Sequence, residues 1–344
     1  MTSRFIVSLV ISVIVVMVTT TLLVPTDVVA QNRTSVKFHT PWGDPDLQGI
    51  WTNATITPLE RPTELAGQKF LRDEDVDEFE RQALKLNNAD RRDGNAEADV
   101  RRAYNQFWYD RGTKLIADKR TALIVDPPNG RIPWKPEAQK EYTRSAASYG
   151  VGPFNSWEDL DTGERCLTDG ISMVPLQGYN MNYHILQAPG YVVILHEMFH
   201  EFRIIPLDGR PHVKEEIGQW LGDARGHWEG DTLVINTRNF ADKGHYRWIT
   251  TWRAARPTLH LVERLRRVDS ETIDYQFTMH DPAMFQKSWT AAIPMSTNHE
   301  SRGVTDGQLF EYACHEGNYG LVNILRAARA EEKVAEEATK IDER

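Results

Sequence analysis

Short β-rich runs separated by turn sequences fill the chain from Tyr179 to Cys314, and this pattern constrains the fold more than any other feature. The runs cover residues 183–187, 190–205, 218–228, 231–236, 258–268, 272–279 and 286–294. Turn sequences such as Asp208-Gly209 lie between them. No helical run intervenes, so we expect antiparallel pairing. Seven or more such strands usually close into a barrel or fold into a sandwich. The pattern therefore predicts an α+β fold that is mainly an antiparallel β-barrel or sandwich.

Helical patterns flank this β-rich region on both sides. The predicted helices cover residues 72–86, 96–109, 135–148 and 319–338, and one short strand is predicted at 121–126. We divide the chain into a signal segment at 1–30, an N-terminal arm with helices and loops at 31–178, the barrel at 179–318, and a C-terminal helix with a charged tail at 319–344. The arm, helices and loops are expected to pack on the barrel.

The N-terminus has the pattern of a secretion signal. Arg4 precedes an apolar run from Phe5 to Val24, and small residues end the segment at Ala30. We expect cleavage after Ala30 and a periplasmic or secreted protein. A retained anchor is the alternative, because about 20 apolar residues can span a bilayer. Contact with a membrane is expected only through this segment, if it is not cleaved.

Charge and motifs narrow the classes of partner. The net charge of −9 excludes the basic surface typical of a nucleic-acid-binding protein. The chain contains no phosphate-binding loop, no dinucleotide fingerprint and no G-x-S-x-G sequence. We therefore predict no cofactor.

Cys166 and Cys314 are the only cysteines in the chain. In an oxidising compartment two cysteines can form one disulfide, and we predict this bridge. Two separate buried thiols are the alternative. Cys314-His315 also has the composition of a nucleophile beside a base, but a disulfide would remove that thiol.

Residues 196–200 match the zinc-protease sequence H-E-x-x-H, with His196, Glu197 and His200 in the key positions. The flanking residues are β-branched and aromatic, which indicates one strand or a pair of strands rather than a helix. On a strand, residues four apart lie ~13 Å from each other at ~3.3 Å per residue. That separation does not suit zinc, whose bonds to nitrogen are about 2 Å. We therefore predict no metal site and keep a zinc hydrolase as the least favoured hypothesis.

Ionisable residues on the predicted strands supply the candidate site. If residues 190–205 form one strand, His196 and His200 share one face, and Glu197 and Arg203 share the other. Polar residues on the neighbouring strands are Asn182, His184, Asp223, Arg225, His227, His260, Glu263 and Arg264. We predict Glu197 and His200 as catalytic residues. We predict Arg203, Arg225, Asp223, His227 and Asn182 as ligand-binding residues, with the two arginines clamping an anion. Cross-strand pairing with no functional role is the alternative for each of them.

Four segments carry a resemblance to a known family. PDLQGIWTN at 45–53, RIIPLDGRPH at 203–212, GHWEGDTLV at 226–234 and EYACHEGN at 311–318 resemble a family of exported, acidobacterial-type bacterial proteins of unassigned function. In that family the position matching His196 is often another residue, whereas Glu197 and His200 match commonly. The C-terminal half is similar in outline to lipocalin-like barrels, which implies a fold but no function.

These features leave several functions open. We expect an exported barrel that binds a small apolar or aromatic molecule, since a barrel of about eight strands can hold one small ligand. A lyase, isomerase or hydrolase without a cofactor, using a His–carboxylate pair, is the alternative. A structural or interaction protein of the cell envelope is a further alternative.

Overall fold

The structure is a computed structural model that describes residues 38–96, 99, 105–148, 152–168, 170–171, 178–242, 256–304 and 309–342. These residues belong to one compact unit, Phe38–Arg344. The predicted signal segment at 1–30 lies outside the described residues, and so does much of the predicted helix at 96–109. Among the helices of the described residues, none has the length and apolar character needed to cross a membrane.

Eleven strands and three α-helices make up the regular structure of the described residues. The strands are β1 (Gly49–Thr52), β2 (Ile124–Asp126), β3 (Asn182–Ala188), β4 (Tyr191–His196), β5 (Phe202–Pro206), β6 (Asp223–Glu229), β7 (Thr232–Arg238), β8 (His260–Arg267), β9 (Thr272–His280), β10 (Trp289–Ala292) and β11 (Met295–Ser296). The helices are α1 (Asp73–Asn87), α2 (Pro136–Ser148) and α3 (Gly320–Asp342). At the end of the predicted second helix, the described residues Gln106–Trp108 form one 3₁₀ turn.

All strand pairings are antiparallel, in the order β5-β4-β3-β1-β11-β9-β8-β7-β6, and β10 pairs with β2 and β9. β1 lies between β3 and β11 although it comes from the predicted arm, so the N-terminal region contributes strands to the sheet. Trp51 of β1 is fully buried, and its indole Nε1 donates to the Leu47 carbonyl at 2.9 Å. The PDLQGIWTN sequence therefore has a structural role at the centre of the sheet.

Alternating burial gives the sheet an inner and an outer face. On β9 the buried residues Ile273, Tyr275, Phe277 and Met279 alternate with partly exposed polar residues. The inner faces of the other strands contribute large side chains to the same core, which also includes Trp289. Burial of this apolar surface is the main force that holds the sheet together.

The sheet is open, with β5 and β6 as its two edges. These strands approach one another, but among the described residues no backbone hydrogen bond joins them. The prediction of an α+β fold with a mainly antiparallel sheet and a C-terminal helix is confirmed. A closed barrel is not present in this hydrogen-bonding pattern.

Candidate functional site

The predicted disulfide joins Cys166 to Cys314, with their Cα atoms 5.6 Å apart. It attaches the segment 309–318 to the loop at 161–168. No free cysteine is present among the described residues, so the alternative of a nucleophilic Cys314 thiol is excluded in this oxidised form.

The H-E-x-x-H residues lie at a hairpin turn, so the interpretation of 190–205 as a pair of strands is confirmed and the alternative of one strand with alternating faces is wrong. β4 ends at His196, Met198–His200 form a 3₁₀ turn, and β5 begins at Phe202. Phe199 and His200 both have positive φ angles, 58° and 43°. Such a backbone costs about 1–3 kcal/mol at a bulky residue and persists where the surroundings enforce it.

Contacts with the segment 309–318 hold this backbone conformation in place. The Glu197 carboxylate is buried, and it accepts hydrogen bonds from the Phe310 backbone N–H at 2.9 Å and from the Asn182 side-chain amide at 3.0 Å. The His200 ring is exposed, and its Nδ1 lies 3.0 Å from the Tyr312 carbonyl oxygen. In the described part of the chain, the Glu197 and His200 side chains bond to this segment and not to each other. Their catalytic role stays a prediction.

The two motif histidines occupy different environments. His196 is buried and stacks on Tyr183 with ring centroids 4.6 Å apart, whereas His200 lies at the surface. Among the described residues, no group of three or more His, Cys, Asp or Glu side chains is placed to hold a metal ion.

Arg203 extends into the core instead of toward a ligand. Its guanidinium forms two bonds to the Glu263 carboxylate, Nη1–Oε2 at 2.6 Å and Nη2–Oε1 at 3.0 Å. The Tyr275 hydroxyl donates to the same carboxylate at 3.0 Å. All three residues are buried. Burial, followed by the charge of Glu263, raises the pKa of Tyr275 well above its ordinary value. Arg203 was predicted as an anion clamp, but the anion it holds is the protein's own carboxylate.

Three other predicted ligand-binding residues, Asp223, Arg225 and His227, lie together on the outer face of β6, whereas the fourth, Asn182, begins β3 and bonds to Glu197. The three residues of β6 alternate with the buried Ala224 and Gly226. His227 bonds to Glu229 at 3.2 Å near the hairpin end. The strand registers place Arg225 opposite Asn236 and His260 opposite His280. Polar residues on β7, β8 and β9 therefore lie beside those of β6 on the same outer face. The outer face of β6–β9 is thus mainly polar, with Val234 and Val262 as apolar members.

Two cavities on this surface form a cleft. The larger, about 670 Å³, is lined mainly by polar residues together with Phe240, Leu259 and two prolines. The smaller is about 470 Å³. The polar residues of the larger cavity are Glu215, Glu216, Arg238, Asn239, Thr258, His260 and His280. Those of the smaller cavity are Arg210, His212, Arg225, His227, Asn236 and Arg238. Arg238 lines both cavities, and within the described residues its guanidinium makes no ion pair or side-chain hydrogen bond.

Two side chains hold the loop that follows β5 over this face. The Asp223 carboxylate accepts from the Val213 backbone N–H at 3.0 Å. The Asn239 side-chain amide donates to the carbonyls of Val213 and Lys214, both at 2.9 Å. These hydrogen bonds, made by Asp223 at the start of β6 and by Asn239 directly after β7, fix one wall of the cleft to the sheet.

Arg238 and two further histidines lie close enough to His260 to affect its pKa. Burial, reinforced by the charges of Arg238, His280 and His212, lowers the pKa of His260 to about 4. The His260 Nε2 lies 3.2 Å from the Asn236 side-chain oxygen. Two exposed carboxylates, Glu215 and Glu216, line the same cavity. A neutral histidine and an arginine therefore face the same space.

Sequence reasoning missed His212, Arg238 and His280 as members of one site. The sequence does contain a signal for Arg238. That residue lies two residues after Asn236 on one strand, and residues two apart on a strand share a face. His212 has no such signal, since it belongs to an irregular loop.

Comparisons with known proteins add no family. No family model matches the chain, and no curated protein and no solved structure matches it significantly.

Proposed function

We propose that this protein is an exported small-molecule-binding protein whose ligand carries an anionic group on an apolar or aromatic body. We place the ligand in the cleft on the outer face of β6–β9. The observation that carries the proposal is the Arg238 guanidinium, which lines both cavities and has no carboxylate partner among the described residues. Guanidinium groups bind carboxylates and phosphates through charge-assisted hydrogen bonds.

The shape and lining of the cleft suit a small ligand. Binding pockets usually measure about 300–1,000 Å³ and combine apolar walls with a few polar groups. Here the exposed Pro257 and Pro282 provide apolar surface beside Arg238, and the almost fully buried Phe240 and Leu259 also line the cavity. The interior of the sheet is less suitable, because fully buried side chains such as those in its main core cluster already fill it.

Binding of 4-phenylbutanoate, compared with its uncharged amide, tests this proposal by isothermal titration calorimetry at low salt. We expect the carboxylate to bind and the amide to bind at least about tenfold more weakly. Arg238→Gln should weaken carboxylate binding by about 10–100-fold, because a hydrogen bond to a charged group contributes ~1.5–3 kcal/mol. Arg326→Gln is the matched control, since it removes the same charge from the exposed face of α3. Equal affinities for the acid and the amide, or an unaffected Arg238→Gln variant, would contradict the proposal.

Export is part of the proposal and depends on the N-terminal segment and the disulfide. A disulfide across 148 residues fits an oxidising compartment. We also propose that the chain belongs to the exported family that it resembles, because of the four sequence segments named above. Determining the N-terminus of the exported protein tests the processing: Gln31 as first residue is the expected result, and an intact Met1 would contradict cleavage.

We further infer that the open sheet behaves as a lipocalin-like barrel in which β5 and β6 close the gap by side-chain packing. A Cβ atom placed on Gly226 of β6 would lie 2.7 Å from Leu207 and 2.8 Å from Ile205. Glycine therefore lets the two edges approach. Gly226→Val should destabilise the protein by about 1–3 kcal/mol through overpacking, with Gly226→Ala giving a smaller loss in urea unfolding. A Gly226→Val variant as stable as wild type would refute the closure.

A further inference from the structure

His212 and Asp223 form a hydrogen-bonded pair at one wall of the cleft. The His212 Nδ1 lies 3.0 Å from Asp223 Oδ2. The Asp223 carboxylate is 7% exposed, and its other oxygen lies 2.6 Å from Arg225 Nη1. The Val213 backbone N–H also donates to it. These three donors fix the Asp223 carboxylate in place.

This pairing orients the His212 ring toward the smaller cavity. The ring is one quarter exposed and lines that cavity together with Arg238. Because Nδ1 is engaged by Asp223, Nε2 is the nitrogen that a bound molecule can reach. Among the described residues, none binds Nε2. A histidine held through Nδ1 by a carboxylate is the arrangement that enzymes use for general acid–base catalysis.

Of the three arginines that line the cleft, Arg210 pairs with Asp208, and the other two have different tasks. Arg225 is occupied, since it bonds to Asp223, to the Ala224 carbonyl at 2.8 Å and to the Pro211 carbonyl at 3.2 Å. Arg225 is therefore a positioning residue for the pair. Arg238 is the arginine that remains available to bind an anionic substrate or to stabilise negative charge that develops during a reaction.

We propose that the cleft catalyses reversible proton transfer at the carbon next to the carbonyl of a 2-oxo carboxylate, with His212 as the catalytic base. The proposal rests on the proposed function, because Arg238 must first hold the acid. His212 Nε2 takes a proton from C3, and the C–H electron pair becomes the C2=C3 bond. The carbonyl π pair moves to oxygen, where Arg238 stabilises the enolate. Return of a proton from His212 to C3 restores the 2-oxo acid, so no further reactant is consumed.

Exchange of the C3 protons of 2-oxo-4-phenylbutanoate in D₂O tests the proposal, followed by loss of their ¹H NMR signal. We expect the wild-type protein to accelerate exchange at least about 100-fold over buffer, the range typical of general acid–base catalysis. His212→Gln should reduce the rate to near the buffer rate. His39→Gln is the matched control, because His39 is exposed and lies outside both cavities. It should exchange at the wild-type rate.

Imidazole rescue separates chemistry from structure. In His212→Ala, added imidazole should restore exchange in proportion to its concentration, which a purely structural histidine would not allow. Circular dichroism verifies that the variant is folded. The 4-phenylbutanoate titration is run on the same protein. If that acid binds but wild-type exchange equals buffer, the proton-transfer proposal is overturned and the binding proposal stands. If the acid does not bind, both fall.

Discussion

Replacing Glu263 with glutamine is the sharpest test of how the core is held together. Glu263 is fully buried on β8, and it bonds to Arg203 across the inside of the curved sheet and to the Tyr275 hydroxyl. Glutamine keeps the volume and an oxygen acceptor, so the change leaves no cavity. It removes only the negative charge that neutralises Arg203.

The expected loss is large because the guanidinium stays behind. Removal of one partner of a buried ion pair typically costs ~3–5 kcal/mol. Whole domains have only about 5–15 kcal/mol of unfolding free energy. Glu263→Gln should therefore remove a large part of the stability. Tyr275→Phe, which removes one hydrogen bond to a charged acceptor, should cost about 1.5–3 kcal/mol.

Urea unfolding of the disulfide-intact protein, followed by tryptophan fluorescence, measures these free energies. Glu229→Gln is the matched control, because Glu229 also pairs with an arginine, Arg264 at 2.9 Å, but at the surface. Exposed pairs contribute little, so this variant should stay close to wild type. If Glu263→Gln were no more destabilising than Glu229→Gln, the account of a buried, mutually dependent pair would be refuted. Joint replacement, Arg203→Met with Glu263→Leu, should recover most of the loss.

Three further predictions follow from the described contacts. Reducing the Cys166–Cys314 bridge should lower the unfolding free energy by about 5 kcal/mol for a loop of this length; identical urea midpoints with and without reductant would contradict this. The lowered pKa of His260, about 4 in the folded protein, means that the unfolded chain binds more protons below pH 6.5. Stability should therefore fall as pH drops from about 6.5 to 4, by about 1–2 kcal/mol once solvent screening of this partly exposed ring is allowed for. His260→Gln should flatten that part of a series of urea midpoints, and an unchanged slope would count against the assignment. Glu197→Gln should accelerate hydrogen exchange at the Phe310 amide by about 10–100-fold, measured by mass spectrometry, whereas Glu215→Gln at the exposed rim should leave it unchanged.

Much of the sheet could be predicted because its strands have local signals. Alternating polar and apolar residues with turn sequences identify β6 to β9 directly. β1 carries no such signal. It is four residues long, and its partners are distant in sequence, as the pairing of Gly49 with Ile185 shows. A strand that depends on long-range pairing cannot be recognised from its own few residues.

The turn between β4 and β5 could be predicted only as one of two alternatives, for a different reason. Turns that need positive φ usually carry glycine or asparagine, but here Phe199 and His200 occupy them. Bonds from Glu197 and His200 to the distant segment 309–318 hold that backbone. The local sequence therefore resembles a continuous strand, and only tertiary contacts reveal the turn.

The same limit applies to the site, which could be predicted only in part. Asp223 and Arg225 are identifiable as polar residues on a strand, but their partner His212 comes from a loop whose position depends on Asp223 and Asn239. Arg203 has the same residue type as Arg238 and also lies on a strand. In the structure Arg203 is buried against Glu263. That burial depends on how the strands of the sheet face each other, which is a property of the whole fold.

The division between the two faces of the sheet is the reason why we place the proposed site on the outer face. Core side chains such as Trp51, Tyr275 and Phe277 are fully buried, and making room for a ligand among them would cost about 3–5 kcal/mol for each large side chain removed. The outer face is not uniform either. Over β5 it is apolar, with Phe202 61% and Ile204 55% exposed. Over β6–β9 a loop is bonded to the sheet, an arginine lacks a partner among the described residues, and a histidine is held by a carboxylate. Stability is thus concentrated inside the sheet, and the chemistry available to a small molecule lies outside it.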